Sequence, residues 1–428
     1  MINLYKKNKE TALNFIWRCL QVFGKQGVTL LIFILCAKML TPYDFGVYNY
    51  LLAIIFSLIL FGDFGISTAA SNYVAENHSS NKEKLNYLLF NTGIIIVAAT
   101  IIISILAVFL GPLYLKDKYQ YLPYLIPMVL LAPLTSLYDG VYRGLKKFKQ
   151  LALISVIIGL FSIILVYVLV NKYGLIGALI SQSIFYGILL FGLAISFRGF
   201  KFKLKFDKVL MKKITGYSVL VGLSSIGYVL YTRIDVLVLG HFGYIEEIGY
   251  YEVINKIFIL IVLPVMILST VVAPNSTKNF SLKRYDYLRN KIKKESFGLF
   301  VVGLIVGFLL YLFSPLIFKN LLSNYDVLIL TQILNLALLV LPFRFFSNYL
   351  TGGYIVPGGF AKLATITLLL FGVLNLILDV IMIKPFGLIG IVYSMLITQF
   401  LFILSKDFYF YFYIIKKLGN SEISKQKH

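Results

Sequence analysis

The sequence predicts an all-α integral membrane protein of twelve transmembrane helices in two six-helix lobes. Three observations predict it. The 428 residues are 59% hydrophobic and only 14% charged, whereas soluble domains carry about 25% charged residues. Apolar runs of about 20 residues recur from one end to the other, each long enough to cross a hydrocarbon core of about 30 Å as a helix. Runs such as "LALISVIIGLFSIILVYVLV" are apolar on every face. Membrane β-barrel strands alternate polar and apolar residues in segments of about ten, so these spans are helices.

The elements follow in order. The first span, Leu13 to Met39, comes after the head "MINLYKKNKE" and ends near Lys38. It is longer than a signal-peptide core and no small-residue cleavage pattern follows it, so it is expected to remain as a helix. Phe45 to Ser71 is the second span, and a connection with Lys82 and Lys84 leads to the third, Leu85 to Leu110. Lys116 and Lys118 precede the fourth, Tyr121 to Val141, and Arg143, Lys146, Lys147 and Lys149 precede the fifth, Leu151 to Val170. Past Lys172, the sixth, Leu175 to Phe197, closes an N-terminal lobe over 1–200. A basic cytoplasmic linker over 201–213 joins it to a C-terminal lobe over 214–417, with a tail over 418–428. That lobe holds Ile214 to Leu239, Ile248 to Ala273, Phe297 to Phe318, Val327 to Tyr349, Leu363 to Ile383 and Leu388 to about Tyr413.

Alternate connections differ sharply in charge. Those on one side, with both termini, carry 28 Lys and Arg; the other side has only Lys38, Lys116, Lys118, Lys172, Lys319 and Lys384. Cytoplasmic loops are the ones enriched in cations, so both termini face the cytoplasm. The net charge of +22 is then mostly topology, and the run "KFKLKFDKVLMKK" needs no nucleic acid to explain it. The longest non-helical stretch, about Asn275 to Ser296, is cytoplasmic, and the outside connections are too short for a catalytic domain. The only cysteines, Cys19 and Cys36, are 17 residues apart on one helix. That rise of about 25 Å excludes a disulfide between them and a cysteine metal site.

Two echoes point to an internal repeat. "YGLIGALIS" at Tyr173 to Ser181 returns as "FGLIGIVYS" at Phe386 to Ser394. "LTPYDFGVYNYLL" at Leu40 to Leu52 returns more weakly as "GYIEEIGYYEVIN", with Gly46 and Tyr48 matching Gly249 and Tyr251. Both map one span onto the span six later. Since six is even, the halves share an orientation, which is a parallel repeat about an axis along the membrane normal.

Polar residues inside the spans then select candidates. In the first span Asn14, Arg18, Gln21 and Lys25 share one face, with the two cations about 10 Å apart. Lipid does not tolerate such a stripe, so it faces the bundle interior or a wet cavity. The bland reading has Arg18 snorkelling to the surface and Lys25 paired with an acid. The seventh span puts Ser225, Tyr228, Thr232 and Asp235 within about one quadrant, while Arg233 points elsewhere. Asn255 and Lys256 follow in the eighth, and Gln332, Asn335 and Arg344 in the tenth. Arg344 is expected to snorkel, and Asp379 and Lys406, near span ends, are expected to be solvated. Asp63 and Asp235 either pair with cations on other helices or hold a coupling cation, Na+ or H+; no other cofactor and no metal is implied. Deep cations outnumber the two deep acids in this tally, which predicts a cavity of net positive sign suited to an anionic substrate.

The segments "LTPYDFGVYNYLL", "FGDFGISTAASNYVAE", "YRGLKKFKQLALIS" and "RIDVLVLGHFGYIEEIGYYEV" resemble the polysaccharide-biosynthesis flippases, the O-antigen translocase (Wzx-type) group. That group belongs to the superfamily of multidrug, oligosaccharidyl-lipid and polysaccharide exporters. The resemblance runs nearly the whole chain and implies a MATE-like, V-shaped bundle around a cationic cavity in the bacterial cytoplasmic membrane. It implies transport of an undecaprenyl-diphosphate-linked oligosaccharide, such as an O-antigen or capsule unit, from the cytoplasmic to the outer leaflet by alternating access. Arg18, Lys25, Arg233 and Lys256 match the group's habit of placing cations on cavity-facing helices. Other surface-glycan assembly proteins are the implied partners, besides the lipid bilayer and the lipid-linked substrate. A cation-coupled multidrug antiporter of the same fold is the alternative. A lipid II flippase would usually have two further helices, and a glycan polymerase needs a large outside loop. No nucleotide-binding loop or catalytic triad is visible, so the chain reads as a transporter rather than an enzyme.

Overall fold

The computed structural model describes residues 2–77, 82–198, 201 and 203–415, which are predominantly helical with no strand among them. The candidate tail over 418–428 lies outside the described residues. So do the side chains of Asn14 and Arg18, although their backbone is helical. The chain divides into two compact units, Met1–Ile226 and Gly227–His428.

The first unit contains α1 (Ile2–Met39), α2 (Pro42–Asp63), α3 (Ile66–Asn77), α4 (Leu88–Leu115), α5 (Ile126–Gly144), α6 (Phe148–Ile195) and most of α7 (Lys208–Thr232). The entry to α2 is set locally. Pro42 needs no amide partner in the first turn, and the Thr41 hydroxyl accepts from the Asp44 amide at 3.1 Å. At the far end Phe64 (φ 35°) and Gly65 (φ 81°) leave the helical region. The expected span Phe45 to Ser71 is therefore two helices, α2 and α3. Helix α3 lies tightly on α5 because Gly140 and Gly144 face it: a Cβ at either would overlap the carbonyl oxygens of Ser67 and Ser71. A pair of small residues four apart is a membrane device for close helix approach. Helix α1 packs along α6.

The basic linker is pinned within this unit. Asn91 of α4 donates to Lys205 O at 2.8 Å and accepts from the Asp207 amide at 2.9 Å. The start of α7 stays with the same unit through Asn72 to Tyr217 at 2.7 Å and the Lys213–Glu76 ion pair at 2.9 Å. The boundary between units accordingly falls inside α7, past the linker.

The second unit holds α8 (Ile234–His241), α9 (Ile245–Ser281), α10 (Tyr285–Leu321), α11 (Val327–Leu338), α12 (Leu341–Leu350) and α13 (Ala361–Ile403). Short π-helical segments follow α12 at Thr351–Ile355 and α13 at Leu404–Ile415. Seven described helices are long and apolar enough to cross a membrane, or eight if α11 and the segment after it, bent by 51°, form one span. The difference from twelve is partly geometric. Helices α6 and α13 are 48 and 43 residues long, about twice what one crossing needs, and each contains a non-helical residue. These are Gly174 (φ 54°, ψ −129°) and Gly387 (φ 55°, ψ −133°), a conformation that is essentially glycine's alone. Three residues on, a Cβ at Gly177 or Gly390 would overlap the carbonyl of Leu169 or Met382 in the preceding helix. The echo "YGLIG" and "FGLIG" is thus one sharp reversal made twice, at the same offset along the chain.

Candidate functional site

In the first unit the polar stripe of α1 separates into unlike environments. Gln21 is 3% exposed and donates through Nε2 to Asp139 Oδ1 of α5 at 3.0 Å. Asp139 also pairs with Arg143 one turn on, at 2.7 Å. Gln21 is therefore a tether between α1 and α5. Lys25, one turn from Gln21, is exposed, with no ion pair among the described residues. Asp63 sits at the break after α2 and accepts from the Ser67 amide at 3.0 Å and from the Ser67 hydroxyl. Its carboxylate caps the start of α3, as an acid at a helix N-terminus does.

The second unit carries a denser polar core, built where α7 gives way to α8. Arg233 is the break itself, with φ −129° and ψ −12°. The interruption turns Asp235 inward, where it is 4% exposed and accepts from the Tyr251 hydroxyl of α9 and the Asn375 amide of α13. Asp379, one turn after Asn375, is fully buried beside Asp235. Among the described residues neither Asp379 oxygen accepts a hydrogen bond, and the Asn375 Oδ1 is equally without a donor. Two carboxylates in contact favour a shared proton or a bound cation, with Arg344 the charged side chain in electrostatic range of Asp235. The residues fit such an occupant: buried oxygen acceptors converge, and oxygen is the donor that small hard cations take.

Arg233 itself points away from Asp235, as its place on the helix requires, and meets Glu252 of α9 at 3.5 Å. Glu252 is 3% exposed and also accepts from Asn255 Nδ2 at 3.3 Å. Lys256 is half-buried within electrostatic range of both Glu252 and Arg233. One buried acid thus faces two cations.

The remaining candidates are scattered. Ser225 and Thr232 donate to the helix's own carbonyls at Val221 and Tyr228. Tyr228 is 58% exposed, Gln332 is exposed, and Asn335 is half-buried with its Oδ1 lacking a donor. The structure does not gather these five with Arg233 and Lys256.

Three expectations are overturned. Arg344 does not snorkel: it donates to Gln399 of α13 at 2.5 Å, and its guanidinium lies 5.2 Å from the ring centre of Phe258. Asp379 and Lys406, assigned to solvated ends, are 0% and 2% exposed: Asp379 packs beside Asp235, and Lys406, in the π-helical segment after α13, is held by Ser347, Thr351 and Asp407. Within this unit alone the buried charges balance. Arg233, Lys256, Arg344 and Lys406 stand against Asp235, Glu252, Asp379 and Asp407, so cations no longer outnumber acids. Sequence reasoning missed Glu252 and Asn375 altogether. Asn375 and Asp379 are four apart in an apolar run, and that spacing on one helix face was the available signal.

Comparison with known proteins gives concordant results. Residues 12–280 match the family described as Polysaccharide biosynthesis protein, and residues 221–381 match MatE. An uncharacterised membrane protein of Methanocaldococcus jannaschii is 28% identical over 403 residues, covering 87% of this chain and 91% of its own. Among solved structures, the inward-facing form of a multidrug resistance MATE family transporter of the MOP superfamily superposes with a TM-score of 0.75. It is 14% identical and covers 94% of this chain and 99% of its own. The lipid II flippase MurJ in an inward closed conformation gives 0.71 at 21% identity, covering 91% and 87%. The chain has the MATE-like fold of these membrane proteins.

Proposed function

The chain belongs to the polysaccharide biosynthesis protein family, and from that premise we propose that it is a flippase for a lipid-linked oligosaccharide. It would carry an undecaprenyl-diphosphate-linked surface-glycan unit from the cytoplasmic to the outer leaflet of the cytoplasmic membrane, by alternating access and without catalysing a covalent step. The observation that carries this reading is the sharing of Glu252 by Arg233 and Lys256. Two cations around one buried acid leave a positive excess that a diphosphate can occupy, and charge-assisted bonds to phosphate are strong in a dry site. Lys25, and Arg18 on the same helix, would supply the first unit's cations.

The Asp235 and Asp379 pair has the opposite chemistry. It supports a coupling cation, Na+ or H+, held by Asp235, Asn375 and Asp379, whose binding would oppose or favour one state of the transport cycle. That pair alone also fits a cation-coupled drug antiporter, so the two readings divide on the substrate. Complementation separates them. In a strain lacking the gene, the wild-type protein should restore surface glycan and clear the lipid-linked intermediate from the cytoplasmic leaflet, whereas Lys25→Ala and Arg233→Ala at normal abundance should not. Full glycan with Lys25→Ala combined with Arg18→Ala would refute the assignment of the first unit's cations, and drug efflux with unchanged glycan would favour the antiporter.

A further inference from the structure

The end of the second unit that bears the lysines and arginines of α10 contains a pocket of about 460 Å³ that the transport reading does not use. It is built from the first turns of α10, the end of α12 and the π-helical segment after α13. A π-helix bonds i to i+5, which widens the turn and sets Asp407 and Phe408 one turn from Tyr411 and Phe412. All four line the pocket.

Its polarity is layered. Deep inside, Asp407 is 3% exposed and neither of its oxygens accepts a hydrogen bond among the described residues. Its ion-pair neighbour Lys406 is 3.5 Å away and divides its ammonium among Asp407, Thr351 Oγ1 at 2.6 Å and Ser347 Oγ at 3.2 Å. The Ser296 hydroxyl, also on the pocket wall, is buried and without a described partner. At the rim stand Arg289 and Lys293, both exposed. Beside them Phe297, Phe408 and Phe412 are 69%, 48% and 55% exposed, as rings that meet acyl chains would be.

We propose that this pocket is a headgroup site for an ethanolamine phospholipid. The ammonium group reaches Asp407 and Ser296, the phosphodiester lies between Arg289 and Lys293, and the chains run along the three phenylalanines. The order of charges decides the headgroup. A buried carboxylate held only by a long ion pair at 3.5 Å has room for a second cationic donor, and two cations one helical turn apart match a single phosphate. Amphipathic cations and aromatics at the edge of a membrane span are placed where headgroups lie.

The test uses the full-length protein purified in mild detergent and exchanged against equimolar ethanolamine and glycerol phospholipids with identical acyl chains. Retained lipid is then counted by native mass spectrometry. The wild type should retain the ethanolamine lipid about fivefold over the glycerol lipid, a ratio within reach of one charge-assisted bond. Asp407→Asn should bring the two lipids to parity while keeping the protein loaded. Arg289→Ala with Lys293→Ala should reduce retention of both lipids about equally. Parity in the wild type, or an unchanged preference in Asp407→Asn, overturns the proposal. If Asp407→Asn does not fold, Ser296→Ala takes its place, and the paired rim substitution, on exposed side chains, must still deplete phospholipid. Undiminished retention in that pair refutes the site.

Discussion

Replacing Asp379 by Asn should abolish the cation response of the folded protein. Three buried acceptors converge there without donors, the two Asp379 oxygens and Asn375 Oδ1. Each such group costs about 1 to 3 kcal/mol, so about 3 to 9 kcal/mol of strain is available for a bound ion to relieve. A cation present at about one hundred times its dissociation constant stabilises the folded state by about 2.7 kcal/mol. In a unit of some two hundred residues, each kcal/mol moves the melting temperature by about 2 to 4 °C. The wild-type protein should therefore melt about 5 to 10 °C higher in saturating sodium than in choline at equal ionic strength. In the Asp379→Asn protein the new side chain would face Asp235 with its own amide donor and one fewer negative charge, so the shift should shrink to about 2 °C or less. The assay is thermal unfolding of purified protein across a sodium titration, repeated at two pH values. A response to pH alone, at constant sodium, assigns the proton as the occupant. A wild type indifferent to both, or an Asp379→Asn protein with the full sodium shift, refutes the reasoning.

Other outcomes follow from the same geometry. Glu252→Gln should free Arg233 and Lys256 together, so phosphate or diphosphate should bind the purified protein about tenfold more tightly, about 1.4 kcal/mol, while glycan export falls; unchanged affinity would show that Glu252 does not compete with the anion. Gly174→Ala and Gly387→Ala each force a side chain into a conformation that costs about 1 to 3 kcal/mol, and each should lower the melting temperature by several degrees, with the larger effect at Gly387, where a Cβ would also crowd Tyr244. Gln21→Leu removes the donor from Asp139 and should destabilise by about 1 kcal/mol without weakening anion binding, which isothermal titration would confirm.

Much of the fold was legible because apolar length is a one-dimensional signal. A bilayer demands about 20 apolar residues per crossing, and the sequence meets that demand repeatedly. The reversals at Gly174 and Gly387 were legible too, since a backbone conformation that favours glycine leaves its mark as a repeated residue. The breaks at Phe64–Gly65 and between α11 and α12 were not. Hydrophobicity gives little sign of a kink, and at Phe64–Gly65 the glycine is not echoed elsewhere as Gly174 is by Gly387.

The site was harder to read for a related reason. Charges served to locate span ends, so a charge near an apparent end was assigned to water by construction. Asp379 and Lys406 show where that fails: each meets polar partners on a neighbouring element, and both side chains are enclosed. Their enclosure changes the charge balance of the unit. A tally of intramembrane charge treats all cations as one reservoir, and for the second unit that tally is balanced. Position separates what counting merges. Asp235 faces Asp379 with no donor between them, while Arg233 and Lys256 share the single acid Glu252. Two acids packed together and two cations around Glu252 are separate local groupings of opposite sign on neighbouring helices α8, α9 and α13. A transporter that couples a cation to an anionic substrate needs such a separation, because full mutual pairing of the same residues would leave neither ligand a site. The adjacent residues Tyr251 and Glu252 link them: one donates to Asp235, the other holds Arg233. A shift of α9 that accompanies filling of the acid pair would move the anion's counter-charge with it, so sodium should alter phosphate affinity in the wild type and lose that influence in Asp379→Asn.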